Sequence, residues 1–113
     1  MANLKEQLIA KGSCDERGAC FGASATLLPH GEYGLVALGI NGNTLYIRDM
    51  DIRSNAGEIL YKVELKKVRN LKIRTFIFWS LLKFDYEGMT YSLTNLTWTK
   101  PVVAVLKEEA GQA

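Results

Sequence analysis

The stretch Tyr33-Gly34-Leu35-Val36-Ala37-Leu38-Gly39-Ile40-Asn41-Gly42-Asn43-Thr44-Leu45-Tyr46-Ile47-Arg48-Asp49-Met50 reads as two strands joined by a tight turn. Leu35, Ala37 and Gly39 alternate with Val36, Leu38 and Ile40, which is the period of two of an extended chain. Asn41-Gly42-Asn43 supplies the turn. In the second strand Leu45 and Ile47 face one way while Tyr46 and Arg48 face the other, the alternation of a half-buried strand. A lone hairpin is at best marginally stable in water, so the flanking residues must provide further strands or a helix to cover its apolar face.

Downstream the same period continues. From Glu58 to Leu65, the residues Ile59, Tyr61, Val63 and Leu65 share one face against Leu60, Lys62, Glu64 and Lys66. Leu65, Val68 and Leu71 then step by three, which predicts a turn or bulge near Lys67 to Asn70 and a new strand from about Val68. Phe76 to Ser80 is apolar on both parities and reads as a turn. Leu82, Phe84 and Tyr86 alternate with Leu81, Lys83 and Asp85 up to a hairpin at Glu87-Gly88, and Met89, Tyr91 and Leu93 form the last inward row. Thr99, Lys100 and Pro101 are an N-cap and first-turn signal, and Val102, Val103, Val105 and Leu106 make the apolar stripe of a terminal helix running to about Glu109.

Upstream, Leu4, Leu8 and Ile9 have helical spacing between Asn3 and Lys11, with Gly12 as a stop signal. Ser13 to Gly31 is rich in Gly, Ala and Ser, and reads as an irregular arm or a weak first strand over Ala25 to Leu28. The expected organisation is one structural domain. Residues 1–31 form an N-terminal helix and irregular arm, and 32–113 a mainly β barrel plugged by a C-terminal helix. A chain of 113 residues is long enough to bury such a core without disulfide or metal staples.

Composition narrows the function classes. The chain is 48% apolar and 23% charged, ordinary for a folded domain, and no run approaches the roughly 18 apolar residues of a membrane span. The first residues carry charges inside a short apolar stretch and show no secretory signal, so the expected compartment is the cytoplasm. Cys14, Cys20 and His30 fall short of the four ligands of a structural zinc site. His30, between Pro29 and Gly31, reads as a turn residue and not as the base of a cysteine nucleophile. The cysteines read as structural thiols, with a disulfide open to them only in an oxidising compartment. Asp49 to Glu58 fails as a calcium loop, because Arg53 and Ser54 stand where a ligand and the turn glycine belong and Glu58 comes too early. Asn95-Leu96-Thr97 matches a glycosylation acceptor, chemistry that needs a secreted chain. Nucleophile elbows, phosphate-binding loops and metalloprotease motifs are missing. The expectation is a non-enzymatic protein without cofactor or metal. Tyr61, Tyr86 and Tyr91, the polar groups on inward rows, read as core aromatics with satisfied hydroxyls.

Two features remain as binding candidates. Lys62 to Arg74 holds six basic residues against Glu64, a net of +5 in a chain of net +2. Lys62 and Lys66 on one strand, with Lys72 and Arg74 on the next, are expected to form a basic face for an acidic partner or an anionic lipid surface, unless they simply solvate and protect an edge. Beside them Phe76, Ile77, Phe78 and Trp79 are four bulky apolar residues in an expected turn, a candidate interface for a protein partner or a second copy. Nucleic acid is not expected, since the net charge is near neutral and aromatics are not interleaved with the basic residues.

The segment Tyr61-Lys62-Val63-Glu64-Leu65-Lys66-Lys67-Val68-Arg69-Asn70-Leu71-Lys72-Ile73 resembles the mid-barrel segment of bacterial pleckstrin-homology-like domains, in which an inward-alternating strand leads through a kink into a V-x-x-V/L-x-V/I strand. An apolar turn, two strands joined by a Gly hairpin such as Glu87-Gly88, and a helix like Pro101 to Glu109 follow in the same order. The resemblance covers about Glu32 to Glu109. It implies a PH-like barrel of about seven strands in two nearly orthogonal antiparallel sheets, closed by the C-terminal helix and without intrinsic catalysis. Phosphoinositide binding is not implied, because the first hairpin contains no Lys or Arg at its turn.

Overall fold

A computed structural model of the protein describes residues 3–17, 19–53, 55–75, 80–95 and 100–110. The elements run α1 (Leu4–Ala10), β1 (Cys20–Leu27), β2 (Gly34–Asn41), β3 (Thr44–Met50), β4 (Ala56–Glu64), one 3-10 turn (Leu65–Lys67), β5 (Arg69–Thr75), β6 (Ser80–Tyr86), β7 (Met89–Asn95) and α2 (Lys100–Glu109). All strand pairs are antiparallel, in the order β4-β3-β2-β1-β7-β6-β5. Among the described residues β4 and β5 pair on one side only, so the expected barrel holds at the level of one seven-stranded sheet with two helices.

Alternation decides which side chains meet. Val36, Leu38 and Ile40 of β2, Leu45 and Ile47 of β3, Val63 of β4, Leu82, Phe84 and Tyr86 of β6, and Tyr91 and Leu93 of β7 gather in one core. Val105 and Leu106 of α2 pack on the same side. Burying side chains of this size stabilises by about 1.5–3 kcal/mol each, which offsets much of the cost of ordering the strands.

The opposite face of the sheet carries a second, smaller cluster under α1. Leu8 is fully buried there with Cys14 and Ala37, and Leu4, Cys20, Met50 and Ala56 pack against them. Asn3 caps the helix by accepting a hydrogen bond from the Glu6 N–H at 2.9 Å. Small residues on the sheet admit this layer. A Cβ added at Gly39 would lie 3.1 Å from the Ser13 carbonyl carbon and closer still to its oxygen, so only glycine lets the Ser13 backbone rest on β2.

Four sequence expectations are corrected. Of the two readings of residues 13–31, an irregular arm or a weak first strand over Ala25 to Leu28, the strand is found, but longer and earlier: it is β1, the middle strand, which pairs with both β2 and β7. Its residues, Cys-Phe-Gly-Ala-Ser-Ala-Thr-Leu, are mostly small and carry little strand propensity, so partners on both sides hold it and not its own preference. Ile59 does not share an inward row with Tyr61 and Val63. It is exposed, because the β3–β4 register shifts on both sides of Arg48. Met89, at the end of its strand, is exposed as well. Lys66 lies in the 3-10 turn and not on the strand that carries Lys62. The apolar residues Phe76 to Trp79, Leu96 and Thr97 of the acceptor motif, and the expected Thr99 cap lie outside the described residues. No helix among the described residues is long and apolar enough to cross a membrane.

Candidate functional site

The basic segment becomes a terminal strand. Between Leu65 and Thr75 there is no acidic residue, and Arg69, Lys72 and Arg74 are all exposed along β5 while Leu71 and Ile73 turn towards the core. Asn70 has φ 56°, and the β5–β6 register shifts between Arg69 and Lys72. This bulge gives β5 one extra residue against β6 and re-aims the side chains that follow it.

The register then fixes two rows across the outward face. In the first, Lys72 stands opposite Lys83 of β6, which stands opposite Ser92 of β7. In the second, Arg69 is opposite Asp85, which is opposite Thr90. Two ammonium groups on directly paired strand positions repel, and nothing in the core requires them there. Asp85 is held from both sides: Asn70 Nδ2 donates to one carboxylate oxygen and Thr90 Oγ1 to the other, each at 2.8 Å. These donors, and Lys83 and Lys72 nearby, hold its carboxyl below the usual range.

Two concavities meet at Asn70 and Asp85. One, of about 270 Å³, lies among Lys72, Lys83 and Thr90. The other, of about 480 Å³, opens between Lys66, Lys67 and Arg69 on one side and Tyr86, Glu87 and Gly88 on the other. Together they form a groove lined mainly by cations, with the tethered Asp85 carboxylate where the two meet and Glu87 on one wall of the larger.

Of the four expected cations, Lys66 and Lys72 line this groove, and Arg74 lies farther along β5. Lys62 is on β4, at the other end of the strand order, with its ammonium 5.9 Å from the Tyr46 ring centre. Sequence reasoning did not single out Lys83, Arg69 or Asn70. Lys83 was legible as an outward residue, but its juxtaposition with Lys72 depends on the bulge at Asn70, for which the step of three near Leu71 was the only signal.

Several other polar groups serve internal contacts. The Tyr61 hydroxyl donates to Glu32 at 2.7 Å and accepts from the His30 backbone N–H at 3.1 Å; the first bond lowers the Glu32 carboxyl, and burial, followed by that same bond, raises the phenol. Burial pushes the Tyr91 phenol up to about 12, and its ring stacks on Phe84 with centroids 4.9 Å apart. The Cys14 thiol is buried next to Cys20 and pushed up to about 12, first by burial and then by that neighbour, so both cysteines stand as free thiols. Arg48, 8% exposed, donates to Ser13 Oγ at 2.8 Å and to the Gly57 carbonyl at 2.7 Å, tying the segment after α1 to β4. Arg17 bridges Asp15, Glu109 and the Gly42 carbonyl. Asp51 accepts from the Arg53 and Asn55 N–H groups, closing the loop that failed as a calcium site. No group of three or more metal-capable side chains occurs among the described residues.

No family model, no curated protein and no solved structure matches this chain.

Proposed function

We propose that the protein is a non-enzymatic interaction module of the PH-like kind, working in the cytoplasm and binding a protein partner or a second copy of itself. Two antiparallel meanders, β1 to β4 and β5 to β7, joined through the β1–β7 pair and followed by a helix packed on the core side of the sheet, support the PH-like reading. The observation that carries the binding reading is β5 itself. It is an end strand with exposed cations, entered through Lys66 and Lys67, and the next four residues in sequence are Phe76, Ile77, Phe78 and Trp79. An end strand with exposed cations, followed in the sequence by bulky apolar residues, is suited to association.

Light scattering on the wild type and on a Phe78→Ser, Trp79→Ser variant tests this. Assembly lost in the variant and retained at high salt is the expected result. A monomer in every case, with no protein ligand found for the β5 face, refutes it. The cations of β5 also favour a second reading, peripheral attachment to an anionic membrane surface. That reading requires vesicle binding that falls steeply as salt rises.

A further inference from the structure

We infer that the groove along β5 and β6 is a docking site for an acidic linear segment of a partner protein, bound extended, with acidic side chains flanking a neutral hydrogen-bond donor. The inference rests on the interaction-module reading and names the partner's chemistry. Its starting point is the Lys72–Lys83 pair. Two ammonium groups at opposed strand positions repel, the single charge of Asp85 offsets only part of this, and an incoming carboxylate relieves the rest. On the other side of Asp85 the concavity is lined by Lys66 and by Lys67, whose ammonium also lies 3.5 Å from Glu64, facing Glu87, while Arg69 stands opposite Asp85 itself. Asp85 sits between these groups, and its two accepted hydrogen bonds keep it in place while leaving lone pairs on each oxygen.

Geometry selects an extended chain. Lys83 and Asp85 are two residues apart on one strand face, roughly 7 Å, and Lys66 and Lys67, in the turn that precedes β5, line the concavity on the other side of Asp85. An extended segment presents every second side chain on one face at the same repeat. A first acid therefore meets Lys72 and Lys83, a hydroxyl two positions on donates to Asp85 in the row it shares with Arg69, and a second acid two positions beyond that lies towards Lys66 and Lys67. The same carboxylate disfavours a bilayer or a phosphate backbone, whose evenly spread charge would be pressed against Asp85. The partner is thus an acidic peptide and not a uniformly anionic surface.

The test is amide chemical-shift titration of the full chain with three probes: the capped peptide Glu-Val-Thr-Val-Glu, its Glu-Val-Glu-Val-Glu analogue, and phosphatidylglycerol–phosphatidylcholine vesicles. The Thr peptide should shift Asn70, Lys72, Lys83 and Thr90. The all-Glu analogue should bind more weakly despite its added charge. Lys83→Glu should weaken the Thr peptide at least tenfold, and Lys62→Glu should leave it unchanged. Unperturbed core resonances in each variant show that the fold is intact. Tighter binding of the all-Glu analogue overturns the inference, as does vesicle binding without peptide binding or no shift at millimolar peptide. If the peptides fail while the Phe78→Ser, Trp79→Ser variant loses wild-type assembly, the interaction-module reading stands without this ligand.

Discussion

Replacing Gly39 by alanine should destabilise the protein through a clash that the sequence alone conceals. Gly39 lies inside β2 and is not among the residues with positive φ, so its backbone accepts a side chain. Removing a glycine from a strand interior would by itself stabilise by roughly 0.5–1 kcal/mol. Here the new methyl would overlap the Ser13 carbonyl, and the oxygen would have to retreat by roughly 1 Å to reach ordinary carbon–oxygen contact. Ser13 is fully buried. Its N–H donates to the Leu8 carbonyl at 2.8 Å and its hydroxyl accepts from Arg48, so the retreat strains both bonds and lifts the layer under α1. Overpacking of this kind costs about 1–3 kcal/mol, and the two strained hydrogen bonds add about 1 kcal/mol or more. The net expectation is a loss of about 2 kcal/mol, or a melting temperature lower by about 8 °C in a domain of this size. Gly22→Ala is the internal control, because its methyl would press only on the flexible end of Met50, at 3.2 Å, with Leu4 at an ordinary 3.8 Å, and should change stability by under about 0.5 kcal/mol. Thermal and urea unfolding of the two variants decide the matter. If Gly39→Ala melts at or above the wild type, the Ser13 segment does not rest on β2 and the account of α1 docking is wrong.

Lys83→Met removes half of the repelling pair and should stabilise by about 0.2–1 kcal/mol in low salt, with the gain shrinking as salt rises; destabilisation in urea titrations would show that the pair is not strained. Asp15 is held at about 2, below its ordinary 3.8, chiefly by hydrogen bonds from Arg17. A carboxyl lowered by folding adds stability above its unfolded value and loses it as pH falls through the folded one, so wild type should weaken between about pH 4 and 2 by more than Asp15→Asn does. Equal slopes of urea midpoint against pH in that window would remove Asp15 from the account. Both thiols should resist a disulfide reagent at pH 8 in the native state and react on unfolding, since Cys14 is pushed up to about 12 and Cys20 is raised as well. Rapid native labelling of two thiols would contradict their burial.

Much of the fold was legible because its signals are local. Asn3 and Gly12 bracket α1, and Glu87-Gly88, with φ of 51° and 78°, forms the turn between β6 and β7. Inward rows such as Val36, Leu38 and Ile40 follow from period two alone. β1 was obscure because its small residues speak for a neighbour's needs. Gly22 makes room for Met50, and Cys20, paired with Gly39, lies under α1. The face of Ile59 was misread for a related reason, since the register shifts around Arg48 arise between strands and leave no mark on either one.

The binding groove divides in the same way. The acid-free run from Leu65 to Thr75 and the outward parity of Lys83 are properties of the chain, set by backbone geometry within a few residues. That Lys72 faces Lys83, that Asn70 tethers Asp85, and that Lys62 ends far along the strand order depend on register and topology. Those are settled by the burial of the whole core, because slipping one strand by a single residue would turn its apolar row to water. Local sequence therefore determined which charges this protein carries outward, and only the packed sheet decided which of them meet.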